Sequence, residues 1–155
     1  MLKYLNTAVV FEEIPDEVSL AINITNCQNR CIGCHSPELR GNIGAELTKE
    51  ETDKLLKENR GVTCVIFMGE GNDGDAFKEI AEYIKNTHGL KVAVYSGREE
   101  ENIEPWIWGL FDYVKVGPYK KEFGPLNDRS TNQRLYYMDN GTPVDITSRF
   151  WRKAE

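Results

Sequence analysis

No stretch of the sequence stays apolar for anything near the ~18 residues that a membrane-spanning helix needs. The residues MLKYLNTAVVFEEIPDE lack a basic segment followed by an apolar core, so no secretory signal is expected there. Nor is there an excess of basic charge. Nineteen Lys and Arg face 25 Asp and Glu, for a net charge of -6, which gives no support for broad nucleic-acid binding. Internal repeats, low-complexity tracts and long linkers are missing too. At 155 residues, with 40% hydrophobic and 28% charged residues, the composition is that of one folded domain over 1–155. The expected location is the cytoplasm, where thiols stay reduced. There, four cysteines suggest metal or redox chemistry before disulfides.

What is present follows an alternating order. Residues 19–25, SLAINIT, place Leu20, Ile22 and Ile24 on one face and Ala21, Asn23 and Thr25 on a small, polar one, the period of a strand. Thr48 with Glu51 reads as a capping box opening a helix that Gly61 is placed to end. TCVIFM at 63–68 reads as a strand buried on both faces. Asp75 is the expected cap of a second helix carrying Phe77, Ile80, Ala81 and Ile84, with Gly89 beyond its end. KVAVY at 91–95 is a strand closed by Ser96-Gly97. A short helix over about 99–110 and a strand at 113–117 follow. Asn140-Gly141 between two extended runs signals a hairpin.

Strands alternating with helices imply parallel pairing. A complete (β/α)8 barrel takes about 250 residues, so the expected fold is α/β, either a partial, open parallel β/α barrel or a small open sheet. In both, chemistry belongs at the carboxyl ends of the strands. The segment NCQNRCIGCHSPE, Met68-Gly69-Glu70-Gly71 and Ser96-Gly97 all fall at such ends.

Cys27, Cys31 and Cys34 stand in the spacing C-x3-C-x2-C. A structural zinc site is four-coordinate and closed. Cys27, Cys31, Cys34 and His35 could supply its ligands, but adjacent Cys34 and His35 make awkward joint ligands, and all three thiols share one loop. A [4Fe–4S] cluster ordinarily takes four cysteines, so three leave one iron with an open position, where substrate chemistry takes place. Cys64, inside an apolar strand, reads as a small buried hydrophobe. Trp106, Trp108, Phe111 and Tyr113 read as core, with a docking patch as the alternative. Lys115 reads as solvent-facing, with a carboxylate contact as the alternative. The alternative for the Gly69-Glu70-Gly71 and Ser96-Gly97 segments is plain turn geometry.

The cysteine spacing after the first of these strands resembles the signature of the radical S-adenosylmethionine enzymes. The stretches CIGCHSPELR, FMGEGND, YSG, KVGPY and GPLNDRSTNQRLY, with Ser130 to Leu135 the most specific part, resemble the activating component of anaerobic ribonucleotide reductase over most of residues 20–150. The resemblance implies a partial barrel and a [4Fe–4S] cluster on Cys27, Cys31 and Cys34. It implies that S-adenosylmethionine occupies the open iron and is cleaved to methionine and a 5′-deoxyadenosyl radical. That radical would take a hydrogen from a glycine of the large reductase subunit. The chain would then be an oxidoreductase of the glycyl-radical-activating class, with flavodoxin or ferredoxin as electron donor. Gly33, Cys34, His35, Gly69, Glu70, Gly71, Ser96 and Gly97 are the implied cosubstrate contacts.

Gly33 stands where many superfamily members place an aromatic residue, and the glycine-rich turn of the superfamily is represented only by Gly69-Glu70-Gly71. Asn132, Gln133 and Arg134 are expected to support the site or a partner surface. Two further readings remain: an activator of another glycyl-radical enzyme or another small radical enzyme, such as a deazapurine synthase, and a zinc-stapled interaction module without catalysis.

Overall fold

A computed structural model describes residues 1–26, 42–118, 120–126 and 128–154, the last four without their side chains. The strands are β1 (Lys3–Val10), β2 (Ser19–Ile24), β3 (Ala45–Glu46), β4 (Cys64–Met68), β5 (Lys91–Tyr95), β6 (Tyr113–Val116), β7 (Arg134–Asp139) and β8 (Thr142–Asp145). The α-helices are α1 (Lys49–Glu58), α2 (Gly74–Tyr83) and α3 (Pro105–Leu110). A π-helical turn, Ile84–His88, prolongs α2 to Gly89, which takes the left-handed conformation at φ 65°.

All eight strands join one open sheet in the order β3-β1-β2-β4-β5-β6-β7-β8. The pairs β2·β4, β4·β5 and β5·β6 are parallel, and the remaining pairs are antiparallel. The parallel part lies side by side in chain order. Its registers align Ile22, Phe67, Val94 and Val114 in one row, and Ala21, Ile66, Ala93 and Tyr113 in the next.

Successive rows point to opposite faces, and each face has its own core. The first row packs with Leu55 and Leu56 of α1, Phe77, Ile80 and Ala81 of α2, and Ile107 of α3. The second packs with Cys64, Leu135, Ile14 and Ile146. Core residues of all three helices therefore meet one face of the sheet.

The architecture is a single α/β domain with a mixed sheet. Four antiparallel strands flank the parallel set, and the sheet does not close. β1 was not expected. Its residues lack a clean two-residue period, and its register against β2 shifts between Tyr4 and Thr7.

The parallel strands and the hairpin agree with their sequence ranges to within a residue or two. Thr48 caps α1, accepting from the Glu51 amide at 3.0 Å. The cap of α2 is Asp73, which accepts from Ala76 N–H at 3.1 Å, in place of the expected Asp75. Either aspartate satisfies the capping preference, and only the path of the turn decides between them. Ala21 and Thr25 are buried, so the polar face expected for β2 is a second core face.

The aromatic cluster is divided by the sheet. Phe111 and Trp106 pack with Phe77 on the helix side, while Tyr113 meets Tyr137 at a tilt on the other. Trp108 meets Tyr136. Among the described residues no helix is long and apolar enough to cross a membrane.

Candidate functional site

Three backbone hydrogen bonds lace the carboxyl ends of β4, β5 and β6 together. Gly69 N–H donates to Tyr95 O at 3.1 Å, Ser96 N–H to Lys115 O at 2.9 Å, and Gly117 N–H to Arg98 O at 2.7 Å. The turns that follow these strands therefore lie side by side along one edge.

At β4 the turn is Gly69-Glu70-Gly71. Gly69 has φ 110° and Gly71 has φ 72°, values that L side chains rarely adopt. A Cβ on Gly71 would stand 3.0 Å from Leu2 Cδ1 and 3.2 Å from Ile24 Cγ2, so a side chain would be crowded as well as conformationally strained. The same positions place the turn against Ile24 and Thr25, directly ahead of Cys27.

Glu70 is 7% exposed, and its carboxylate is held rather than free. Ser96 Oγ–H donates to Glu70 Oε2 at 2.5 Å, and Arg98 Nε lies 3.5 Å from the same oxygen. Arg98 N–H donates to Ser96 Oγ at 3.1 Å, which fixes the hydroxyl from its other side. Arg98 also reaches Glu104 at 3.6 Å. Glu70, Gly71, Asp75, Phe77, Arg98 and Trp106 are among the residues lining a cavity of about 320 Å³ beside this turn.

Lys115 is buried, at 7% exposure, which corrects the expectation of a solvent-facing side chain. Its ammonium donates to Ser96 O at 3.1 Å and to Gly117 O at 2.9 Å, and lies 5.8 Å from the centre of the Tyr95 ring. Carbonyl oxygens at the strand ends replace the water that the ammonium gives up. Gln133 Nε2 donates to the same Gly117 O at 3.3 Å, and Asn132 Nδ2 to Pro118 O at 3.0 Å. Asn132 and Gln133 thus brace the end of β6. Arg134 turns away to Asp145 at 3.7 Å.

Cys27, Cys31, Gly33, Cys34 and His35 lie outside the described residues. The residues on either side of that segment meet each other. Asn26 Nδ2 donates to Asn42 Oδ1 at 3.2 Å, Lys3 Nζ donates to the same oxygen at 3.0 Å, and Thr25 Oγ1 donates to Ile43 O at 2.7 Å. The chain departs from and returns to one place, at the carboxyl end of β2 and beside the glycine turn of β4. A soft thiolate donor set suits an iron–sulfur cluster. No group of three or more His, Cys, Asp or Glu able to hold a metal ion occurs among the described residues to compete with it. The donor set and its neighbourhood fit the expected group.

Cys64 is fully buried, as expected of a packed thiol, and burial, with the Glu17 charge nearby, pushes it up to about 12. Arg98 and the burial of Lys115 were missed from sequence. Arg98 was within reach of pattern reading, being one residue past Ser96-Gly97 on the same strand end. No local signal marks Lys115, because its partners come from separate turns. No family model, curated protein or solved structure matches this chain.

Proposed function

We propose that this chain is a radical S-adenosylmethionine enzyme that generates the glycyl radical of anaerobic ribonucleoside-triphosphate reductase. The observation that carries this reading is the C-x3-C-x2-C spacing that follows β2 in the sequence, together with the Gly69-Glu70-Gly71 turn that abuts Ile24 and Thr25 at the end of β2. Four adjacent parallel strands, with the core residues of all three helices on one face, support the partial β/α barrel of that superfamily as the finer description of the fold.

Cys27, Cys31 and Cys34 would hold the [4Fe–4S] cluster. Bound there, the cluster would supply the electron for reductive cleavage of the cosubstrate's sulfonium. Gly69 and Gly71 take backbone conformations that L side chains rarely adopt, so the turn that would meet the cosubstrate is shaped by glycine. Glu70 offers a carboxylate whose position is fixed by Ser96 and Arg98. The Ser96 hydroxyl proton is committed to Glu70, so Ser96 acts by holding that carboxylate. Gly33, His35 and Gly97 complete the proposed contacts. The partners are the large reductase subunit and a flavodoxin- or ferredoxin-type donor in the cytoplasm.

Anaerobic reconstitution with iron and sulfide tests the reading. The expected product is a brown protein that bleaches in air and releases 5′-deoxyadenosine when reduced with S-adenosylmethionine. Cys31→Ala is expected to abolish cluster retention. With the reductase added, a glycyl doublet should appear by electron paramagnetic resonance. Stoichiometric Zn(II) without inorganic sulfide in oxygen-free preparations overturns the reading. A doublet formed only with another glycyl-radical enzyme would replace the partner and leave the chemistry.

A further inference from the structure

A run of residues linked by hydrogen bonds crosses the carboxyl edge of the parallel strands from Gln133, just ahead of β7, to Glu70, just after β4. Gln133 and Lys115 both donate to Gly117 O, Lys115 donates to Ser96 O, and Ser96 Oγ–H donates to Glu70 Oε2. Lys115 is the central member. Its ammonium adds a side-chain link from the end of β6 to the residue whose hydroxyl holds Glu70, beside the backbone bond from Ser96 N–H to Lys115 O.

We infer that Lys115 is a positioning residue for the proposed cosubstrate site, fixing the Glu70 carboxylate through Ser96. The inference rests on the functional reading above for its ligand, but not for its physical content. An ammonium buried between two strand-end carbonyls fixes both, because each oxygen has lost water on burial and Lys115 supplies a donor in its place. Removing the ammonium leaves Ser96 O without that donor, while Gly117 O keeps Gln133. The Ser96 turn then relaxes, and with it the hydroxyl that sets Glu70. Lys115 does not need to touch the ligand.

Three variants and two measurements test this. Lys115→Met keeps the length of the side chain and removes the donor. Lys115→Arg keeps donors and charge. Gln133→Leu removes the second donor to Gly117 O and leaves the link to Ser96 intact. The first measurement needs no ligand: amide hydrogen exchange at Arg98, whose N–H donates to Ser96 Oγ. Exchange should accelerate at least about tenfold in Lys115→Met relative to the amides of β4, and by less than about twofold in Gln133→Leu. The second is equilibrium binding of S-adenosylmethionine to the reconstituted protein. Lys115→Met should weaken it about tenfold with unchanged iron content, and Lys115→Arg should recover at least part of the loss.

Unchanged Arg98 exchange in Lys115→Met overturns the coupling of Lys115 to Ser96. Faster exchange with unchanged affinity overturns the positioning role. If the unaltered protein binds no S-adenosylmethionine, the functional reading fails and the positioning role fails with it, while the exchange data still decide the coupling. If Gln133→Leu weakens binding as much as Lys115→Met, the link through Ser96 is not the route and the inference falls.

Discussion

Ser96, at the end of β5, donates its hydroxyl to Glu70 Oε2, at the end of the adjacent strand β4, with 25 residues of chain between them. The bond is buried, and the Arg98 amide closes it from the other side. A carboxylate in such a place is stable only while its donors stay.

Ser96→Ala should therefore cost more than an average surface change. It removes one donor from a buried carboxylate and one acceptor from the Arg98 amide. We expect a loss of about 1–3 kcal/mol in urea-induced unfolding. A loss below about 0.5 kcal/mol would mean that Arg98 alone suffices for Glu70.

Acid stability should depend on Glu17. Burial alone would raise its carboxyl, but Lys91 Nζ at 2.8 Å, Thr63 Oγ1 at 2.7 Å and the Tyr113 hydroxyl at 2.8 Å outweigh that and hold it below the usual carboxylate range. A folded-state value below the unfolded one contributes stability that is complete above the unfolded value, about 4.3. That stability is lost as pH falls through the folded value. Denaturation midpoints measured between pH 6 and pH 3 should fall on acidification, and Glu17→Gln should make that decline shallower. An identical decline in the variant would remove Glu17 from the account.

Cys64 should be inert in the native state. With no exposed surface and its thiol pushed up to about 12, it carries almost no thiolate at pH 8. Brief iodoacetamide treatment followed by peptide mapping should leave Cys64 unmodified, and prior unfolding should expose it. Above the ordinary thiol range the sign is destabilising, because the unfolded thiol ionises first. Native labelling at the unfolded rate would contradict its place in the sheet.

The two aspartates before α2 should differ. Asp73→Ala removes the cap on the Ala76 amide and should cost about 1 kcal/mol in thermal or urea unfolding. Asp73 also pairs with the Met1 amino group, which adds to the loss. Asp75→Ala removes only a charge in the first turn and should cost about 0.3–0.5 kcal/mol. Equal losses would mean that the charge, not the cap, matters.

The parallel strands and their intervening helices were legible because their signals are local. An unbroken apolar run such as CVIFM needs burial on two faces, and an aspartate or threonine ahead of amphipathic spacing needs only its next few residues. β1 was not legible. Its pairing with β2 passes through a register shift, so alternation is lost over Tyr4 to Thr7. The β7–β8 hairpin was legible from Asn140-Gly141, but the docking of β7 on β6 and of β3 on β1 follows from pairings between distant segments.

The candidate site divides in the same way. The amino-acid order alone sets the spacing of Cys27, Cys31 and Cys34, the glycines at 69 and 71, and their common place at strand ends, because these are matters of sequence interval and strand polarity. That Lys115 is buried, that Ser96 holds Glu70, that Arg98 joins them, and that the glycine turn rests on the end of β2 emerged only with the folded chain. Each depends on which turn lies beside which along the sheet edge. That adjacency comes from register between β4, β5 and β6, a long-range quantity that no short window of residues encodes.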